Sequence, residues 1–573
     1  MLRRLIPLLA CLAILACGGN DDPLRPSNIE SFRVEPADAE LLVADGAVVS
    51  QAFTLIAVTK DGSELDVTDQ AEFAIEDAGL GTFVEATLTA DGSKAGRSIV
   101  TATVDSGSGS TEVTVRVQQT RLADGAPSNA PDLFDSGALN PSSDPSIVYP
   151  DAGTIMPPNV GDFEVHWTAG PGTIAAYELS LRSDYLDIVV YLPPNIDWSA
   201  FEPSEWAVAG QSQAGRAISA QLRSVTDNGA IGSAEVEVLL TPDDIAGGLY
   251  YWATANSGGN PIGIYRHDVA RPAQAPEQFY TTAETPENRC VGCHALSRDG
   301  TRMAVRYLGN VKNFGSVVDV ASGTEVLATD GTYQWNFSAF NPSGSHLVYG
   351  VDDTLTLLDV DTEIETPIPD TTNATQPDFS PDGTKLVYVK YATGNQIYMF
   401  EGSLVTRTID TAGTFGAETV LVPSETMNVY YPTWSPDGQW ILFNKSTDDS
   451  YDDPDAELWV VKADGTLPPI RLDVPTAEGD MTDSWARWAP FEQGFPTFEG
   501  GEQPLFWLTW SSKRAFGVRL PEGQPQLWMA PFFPLAAEAG DEPSAPAFRL
   551  PFQDIGSSNH IAQWTERVVG GIE

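Results

Sequence analysis

The chain has 573 residues, with 79 acidic against 31 basic side chains and a formal net charge of −48. Such a surface repels phosphate backbones and anionic lipid headgroups, which excludes nucleic-acid binding. With 50 Gly, 42 Pro and only four Cys, the sequence is too long for one ordinary domain, dense in turns and poor in helical periodicity, so an all-β class is expected.

Met1-Leu2-Arg3-Arg4 leads into an apolar run from Leu5 to Ala16. A charged start followed by about a dozen apolar residues is the pattern of a secretory signal, too short to span a bilayer. Ile14-Leu15-Ala16-Cys17 then resembles the lipobox of bacterial lipoproteins. Cys11, after Leu8-Leu9-Ala10, fits the same pattern but leaves almost no hydrophobic region before it. The resemblance implies a signal peptide over residues 1–17, acylation of Cys17 and attachment to the membrane through that lipid anchor. Gly18, with no Asp directly after the cysteine, implies sorting of the exported lipoprotein to the outer membrane, periplasmic or surface-facing. Residues 18–28 read as a tether.

Short runs of β-branched residues between Gly, Asp, Asn and Pro predict strands from there on. Residues 29–119 end in "AGRSIVTATVDSGSGSTEVTVRV", two alternating runs around a turn. This ending resembles bacterial immunoglobulin-like domains of group 2, which implies a spacer or adhesive β-sandwich. Residues 120–146, rich in Pro, Ser, Asp and Gly, predict a linker. Residues 147–244 contain "FEVHWTAGPGTIAAYELSL", whose Trp and Tyr in successive strands resemble a fibronectin type III sandwich. His166 in that stretch reads as a structural or exposed strand residue.

The remainder repeats. "ALSRDGTRMAV", "AFNPSGSHLVY", "DFSPDGTKLVY" and "TWSPDGQWILF" align without gaps, and "RWAPFEQG" begins a fifth copy. The turn glycines Gly300, Gly344, Gly383 and Gly438 recur at the period of four-stranded blades. The "FSPDG" signature resembles TolB-like six-bladed β-propellers built from WD40-like (PD40) repeats, here over residues 245–566, with 567–573 as a tail. Counting to six requires "NHIAQWT" (559–565) to complete the blade begun by "GLYYWAT" and "GIYRHDV". The expected architecture is therefore all-β: two N-terminal β-sandwich domains followed by a six-bladed β-propeller.

Cys290-Val291-Gly292-Cys293-His294 opens the first repeat. Cys-x-x-Cys-His is the attachment motif of c-type haem: two thiols add to vinyl groups and the histidine is placed to bind iron. A disulfide across two residues and half of a zinc site remain alternative readings. In register with the other repeats, His294 aligns with Ser338, Pro377, Pro432, Ala486 and Ala562, at one mouth of the central channel. Residues just upstream on the other blades then face the haem: His560, Met427, Met481, Trp335, Tyr430 and Tyr431. His560 is the first choice of sixth iron ligand, with Met427 and Met481 as alternatives and an open five-coordinate iron as the rival. Met303 reads as blade core, and His267 and His346 as solvent-facing.

"STDDSYDDPDAE" (446–457) lacks the ligand spacing of an EF-hand and reads as an acidic hairpin. "GQSQA" from Gly210 lacks the last Gly of a nucleophile elbow. No catalytic constellation is visible, so an enzymatic role, if there is one, is that of a haem-dependent oxidoreductase. The expected function is electron transfer or a redox reaction on a small ligand through one covalent haem c, with a redox or envelope protein as partner. The alternative is a haem-free propeller lipoprotein that binds a protein or glycan.

Overall fold

The computed structural model describes residues 27–570 except 257, 286–287, 309–313, 328–330, 411–412, 478 and 498–499. The expected signal segment and Cys17 lie outside the described residues. The chain divides into two compact units, one ending at Val117 and the other beginning at Gln118. Strands dominate both, and the described residues include three short α-helices, Ala130–Ser136, Pro203–Gln213 and Pro534–Ala539.

In the first unit the strand Thr54–Thr59 alternates buried and half-buried residues, placing Leu55 and Ala57 in the core beside Val34. That period of two is what a sheet with one dry face requires. The hairpin of the "VDSG" turn pairs Val104 with Gly107 and continues in register to Gly96 and Val115. Only two residues join these strands, the tightest connection an antiparallel pair allows.

The second unit begins with a departure from expectation. Residues 120–146, read as a linker, contain the helix Ala130–Ser136, which buries Ala130 and Phe134. Phe134 packs 5.9 Å from Tyr191, with the Arg223 guanidinium 5.0 Å over its ring. A run rich in Pro and Ser is ordered here because one aromatic and one alanine give it an apolar face. The strands Ile174–Arg182, Leu186–Leu192, Ala217–Thr226 and Ala230–Leu240 form the adjoining antiparallel sheet. Gly210 of "GQSQA" lies inside the helix Pro203–Gln213, started by Pro203 and a reciprocal cap between Glu202 and Glu205.

This region is packed on the sheets that follow it. Arg519 donates to both carboxylate oxygens of Glu164 at 2.7 Å. Phe516 sits 4.9 Å from Tyr149 and 4.6 Å from His166. Gln493 Nε2 donates to the carbonyls of Asp243 and Asp244 at 3.1 and 3.0 Å. His166 is fully buried here, its Nε2 3.0 Å from Glu164.

From Gly248 onward, among the described residues, six antiparallel sheets of three or four strands succeed one another, with a two-stranded pair of Thr393–Gly394 and Met399–Phe400 beside the fourth. The innermost strands are Asn559–Thr565, Val291–Leu296, Ser338–Phe340, Ala374–Phe379, Asn428–Trp434 and Ser484–Pro496. Each touches the next, and the last touches the first, so the sheets form a closed ring, the arrangement of a β-propeller. The first sheet holds Gly248–Ala253 beside Asn559–Thr565, so a strand from the end of the chain completes a sheet begun some 300 residues earlier. Closure removes the exposed sheet edges that otherwise invite aggregation.

The repeated turns show why the signature recurs. Asp299, Asp382 and Asp437 accept from the hydroxyls of Ser297, Ser380 and Ser435 at 2.7, 2.6 and 2.5 Å. They also accept from the backbone N–H of Thr301, Thr384 and Gln439 at 3.0, 3.0 and 2.9 Å. The following glycines adopt φ between +68° and +73°, where a Cβ is disfavoured. Ser, Asp and Gly thus each meet a separate demand of one tight turn.

Candidate functional site: two cavities on the propeller axis

The innermost strands Val291–Leu296, Ser338–Phe340, Ala374–Phe379 and Asn428–Trp434 each end at a turn of the repeated signature. Near the start, five of the six innermost strands carry a bulge residue with positive φ: Cys293, Gln376, Tyr431, Trp485 and Ile561, at +46°, +53°, +51°, +59° and +54°. Register shifts between Gly292 and Ala295, Thr375 and Asp378, Tyr430 and Thr433, and Ser484 and Arg487 mark the same places. A bulge re-aims the side chain at its extra residue. Here it turns these residues into the channel, where they join Phe337 in a plug. Tyr431 and Trp485 stack at 4.0 Å, and Phe337 lies 5.8 Å from Tyr431 and 6.0 Å from Trp485.

Above the plug opens a cavity of about 400 Å³ lined by Cys290, Cys293 and His560. Trp252, Tyr451, Trp485 and Ile561 supply apolar walls, and Arg306 and Lys513 supply cationic ones. This size and lining suit a small-molecule or cofactor site. Both cysteines are free thiols, and burial raises their pKa values above the usual thiol range. Arg306 Nη1 stands 3.7 Å from Cys293 Sγ. Lys513 forms a 2.7 Å ion pair with Asp452 at the end of the acidic hairpin. The His560 imidazole faces Trp252 at 5.8 Å, and burial lowers its pKa to about 4, which keeps it neutral and able to coordinate a metal.

His294 is placed differently from its two cysteines. It is 3 % exposed, does not line this cavity, and brings Nε2 to 3.4 Å from the Tyr250 carbonyl oxygen. Burial lowers its pKa to about 4. The bulge at Cys293, with φ +46°, lets that side chain border both cavities, while His294 after it lines the lower one alone.

His294 lines instead a small chamber of about 20 Å³ below the plug, together with Cys293 and with Ser338, Pro377 and Pro432, three of the five residues with which it aligns in sequence. Gln376, Tyr431, Arg487 and Gln563 complete its polar wall. Arg487 and Gln563 also line a vestibule of about 130 Å³ at the turn face, which contains Asp378 and Trp434. Burial raises the Asp378 carboxyl to about 6, against the pull of Arg487 and the Trp434 N–H, which it accepts at 2.8 Å.

Of the residues expected around the motif, the structure brings His560 to the cavity with Cys290 and Cys293. It does not bring Met427, Met481, Trp335 or Tyr430 there, and Tyr431 lies in the plug. Trp335 packs in its own sheet 5.4 Å from Tyr349, and Tyr430 is in a blade core. Met303 is likewise core, and His346 is 37 % exposed. His267, expected in solvent, is buried and stacked on Phe552 at 4.1 Å. Sequence reasoning missed Trp485, which its own register places beside Ala486, and Arg306, Tyr451 and Lys513, for which no local signal exists. In the acidic hairpin, Asp453 and Asp455 accept from the backbone N–H of Asp448 and Thr447 at 2.7 and 3.1 Å.

No family model matches the chain. No curated protein matches it either. Among solved structures, TolB from Acinetobacter baumannii is similar at 12 % identity, covering 74 % of this chain and 99 % of that one, with a TM-score of 0.38. A putative TolB from Agrobacterium tumefaciens is similar at 14 % identity over 56 % of this chain and 98 % of that one, with a TM-score of 0.33. The β-propeller domain of the Trilobed protease from Pyrococcus furiosus is similar at 13 % identity over 55 % of this chain and 79 % of that one, with a TM-score of 0.26.

Proposed function

We propose that the chain is a TolB-like, six-bladed propeller lipoprotein of the cell envelope, anchored through Cys17, that carries one covalent haem c in the cavity above the plug. The observation that carries this reading is the convergence of Cys290, Cys293 and His560 on one aromatic-walled cavity, although His560 stands about 270 residues away in sequence. Bound there, haem c would supply one-electron chemistry or activation of a small ligand at iron.

The residues act as follows. Cys290 and Cys293 would hold the haem through thioether bonds, each thiol hydrogen passing to the vinyl carbon next to the one its sulfur bonds. Raised thiol pKa values keep Cys290 and Cys293 protonated and unreactive until that addition is catalysed. His560, neutral and in the same cavity, is the side chain that would hold iron, in place of His294. Arg306 and Lys513 offset negative charge at the cavity wall, and Trp252 and Trp485 exclude water. Haem held there would support electron transfer or redox conversion of a small ligand, with an envelope protein as the partner.

Intact-mass measurement of the chain, exported in a host with c-type maturation, tests this. The protein gains the mass of one haem, and Cys290→Ala/Cys293→Ala does not. A folded, exported wild-type protein without that mass contradicts the reading. It would favour a haem-free propeller whose aromatic cavity binds a protein or glycan partner.

A further inference from the structure

The small chamber below the plug is lined by more unsatisfied polarity than its size suggests. His294 Nδ1, Ser338 Oγ, Gln376 Nε2 and Tyr431 Oη are all buried without a hydrogen-bond partner among the described residues, and all four residues line it. Gln376 Oε1 accepts from the Tyr431 N–H at 2.7 Å, which fixes the amide with its NH₂ end free. Arg487 is the charged member. Its one hydrogen bond among the described residues runs to the Ala486 carbonyl at 2.9 Å, and it forms no ion pair there. What surface it retains is on the walls of the chamber and the vestibule.

Arg487 makes no close ion pair among the described residues, the Asp378 carboxyl acting on it from the vestibule, and its charge and the orphaned donors beside it both cost stability until an occupant meets them. An occupant that answers both is negatively charged and accepts several hydrogen bonds. The chamber volume of about 20 Å³ holds one body the size of a water molecule. We infer that this chamber is a binding site for a single small monoanion of halide size, held by Arg487, Gln376, Tyr431 and Ser338 and entering through the vestibule at the turn face. His294, whose Nε2–H meets the Tyr250 carbonyl, presents Nδ1 as an acceptor and closes the site without donating to it. Cys293 borders both this chamber and the larger cavity, whereas Cys290 and His560 line the larger cavity and not the chamber, so an anion here does not depend on haem in the other.

Crystals of the mature full-length chain, grown in gluconate and soaked in sodium bromide, test the inference through bromine anomalous scattering. One peak in the chamber within hydrogen-bonding distance of Arg487 and Gln376 is expected, and it is lost in Arg487→Met. Chamber density without an anomalous peak in the wild-type crystal, a water alone, overturns it. That wild-type result decides the matter even where Arg487→Met fails to fold.

Discussion

At the scale of single residues, the histidines separate by what burial does to each. His267 is stacked on Phe552 with its pKa lowered to about 4 from 6.5. Between those values the unfolded chain takes up a proton that the folded one refuses, so the stability His267 contributes is present above 6.5 and lost as pH falls to 4. His267→Phe therefore flattens the urea-unfolding stability curve between pH 6.5 and 4, and an unchanged slope contradicts its burial. Trp485 stacks on Tyr431 at 4.0 Å in the plug. Trp485→Ala is expected to cost about 3–5 kcal/mol in unfolding free energy, as large aromatic deletions do. A cost below about 1 kcal/mol would show that the plug is not packed.

At the scale of elements, what the sequence makes legible is what a short segment decides alone. The Ser-Pro-Asp-Gly turns could be read because hydroxyl, carboxylate and glycine act within five residues, and their spacing shows how often the sheet pattern recurs. Gly383 adopts φ +70°, so Gly383→Ala costs about 1–2 kcal/mol, measured by urea melting. A neutral effect contradicts the turn geometry. The bulges were not legible, because Cys293, Gln376, Tyr431, Trp485 and Ile561 share no residue type and their positive φ is imposed by ring closure. That omission explains why His294 was expected in the cavity that Cys290, Cys293 and His560 line. The helix Ala130–Ser136 escaped notice because its composition is that of a linker and distant residues, Tyr191 and Arg223 among them, order it.

At the scale of the whole molecule, the strands of residues 147–244 bear on the propeller rather than hanging from it. Glu164 pairs with Arg519, Tyr149 packs on Phe516, and Gln493 caps two carbonyls at the end of that region. Arg519 also lies 3.8 Å over the Trp198 ring. Arg519→Ala leaves Glu164 buried beside His166 alone, and breaking such a buried pair costs about 3–5 kcal/mol. A lowered thermal midpoint with one cooperative transition for that region and the propeller together is expected. Two separated transitions in the wild-type protein would show that the region is an independent spacer.

The central claim is that the two thiols and His560 serve one haem. A reduced pyridine haemochrome spectrum of the exported chain, followed by the native ferrous spectrum of His560→Ala, tests it most directly. The account predicts a c-type haemochrome band in both proteins, and a native spectrum that changes in His560→Ala because an iron ligand is gone. Absence of the haemochrome band from folded wild-type protein contradicts the haem. A band present with the native spectrum of His560→Ala unchanged contradicts His560 as its ligand.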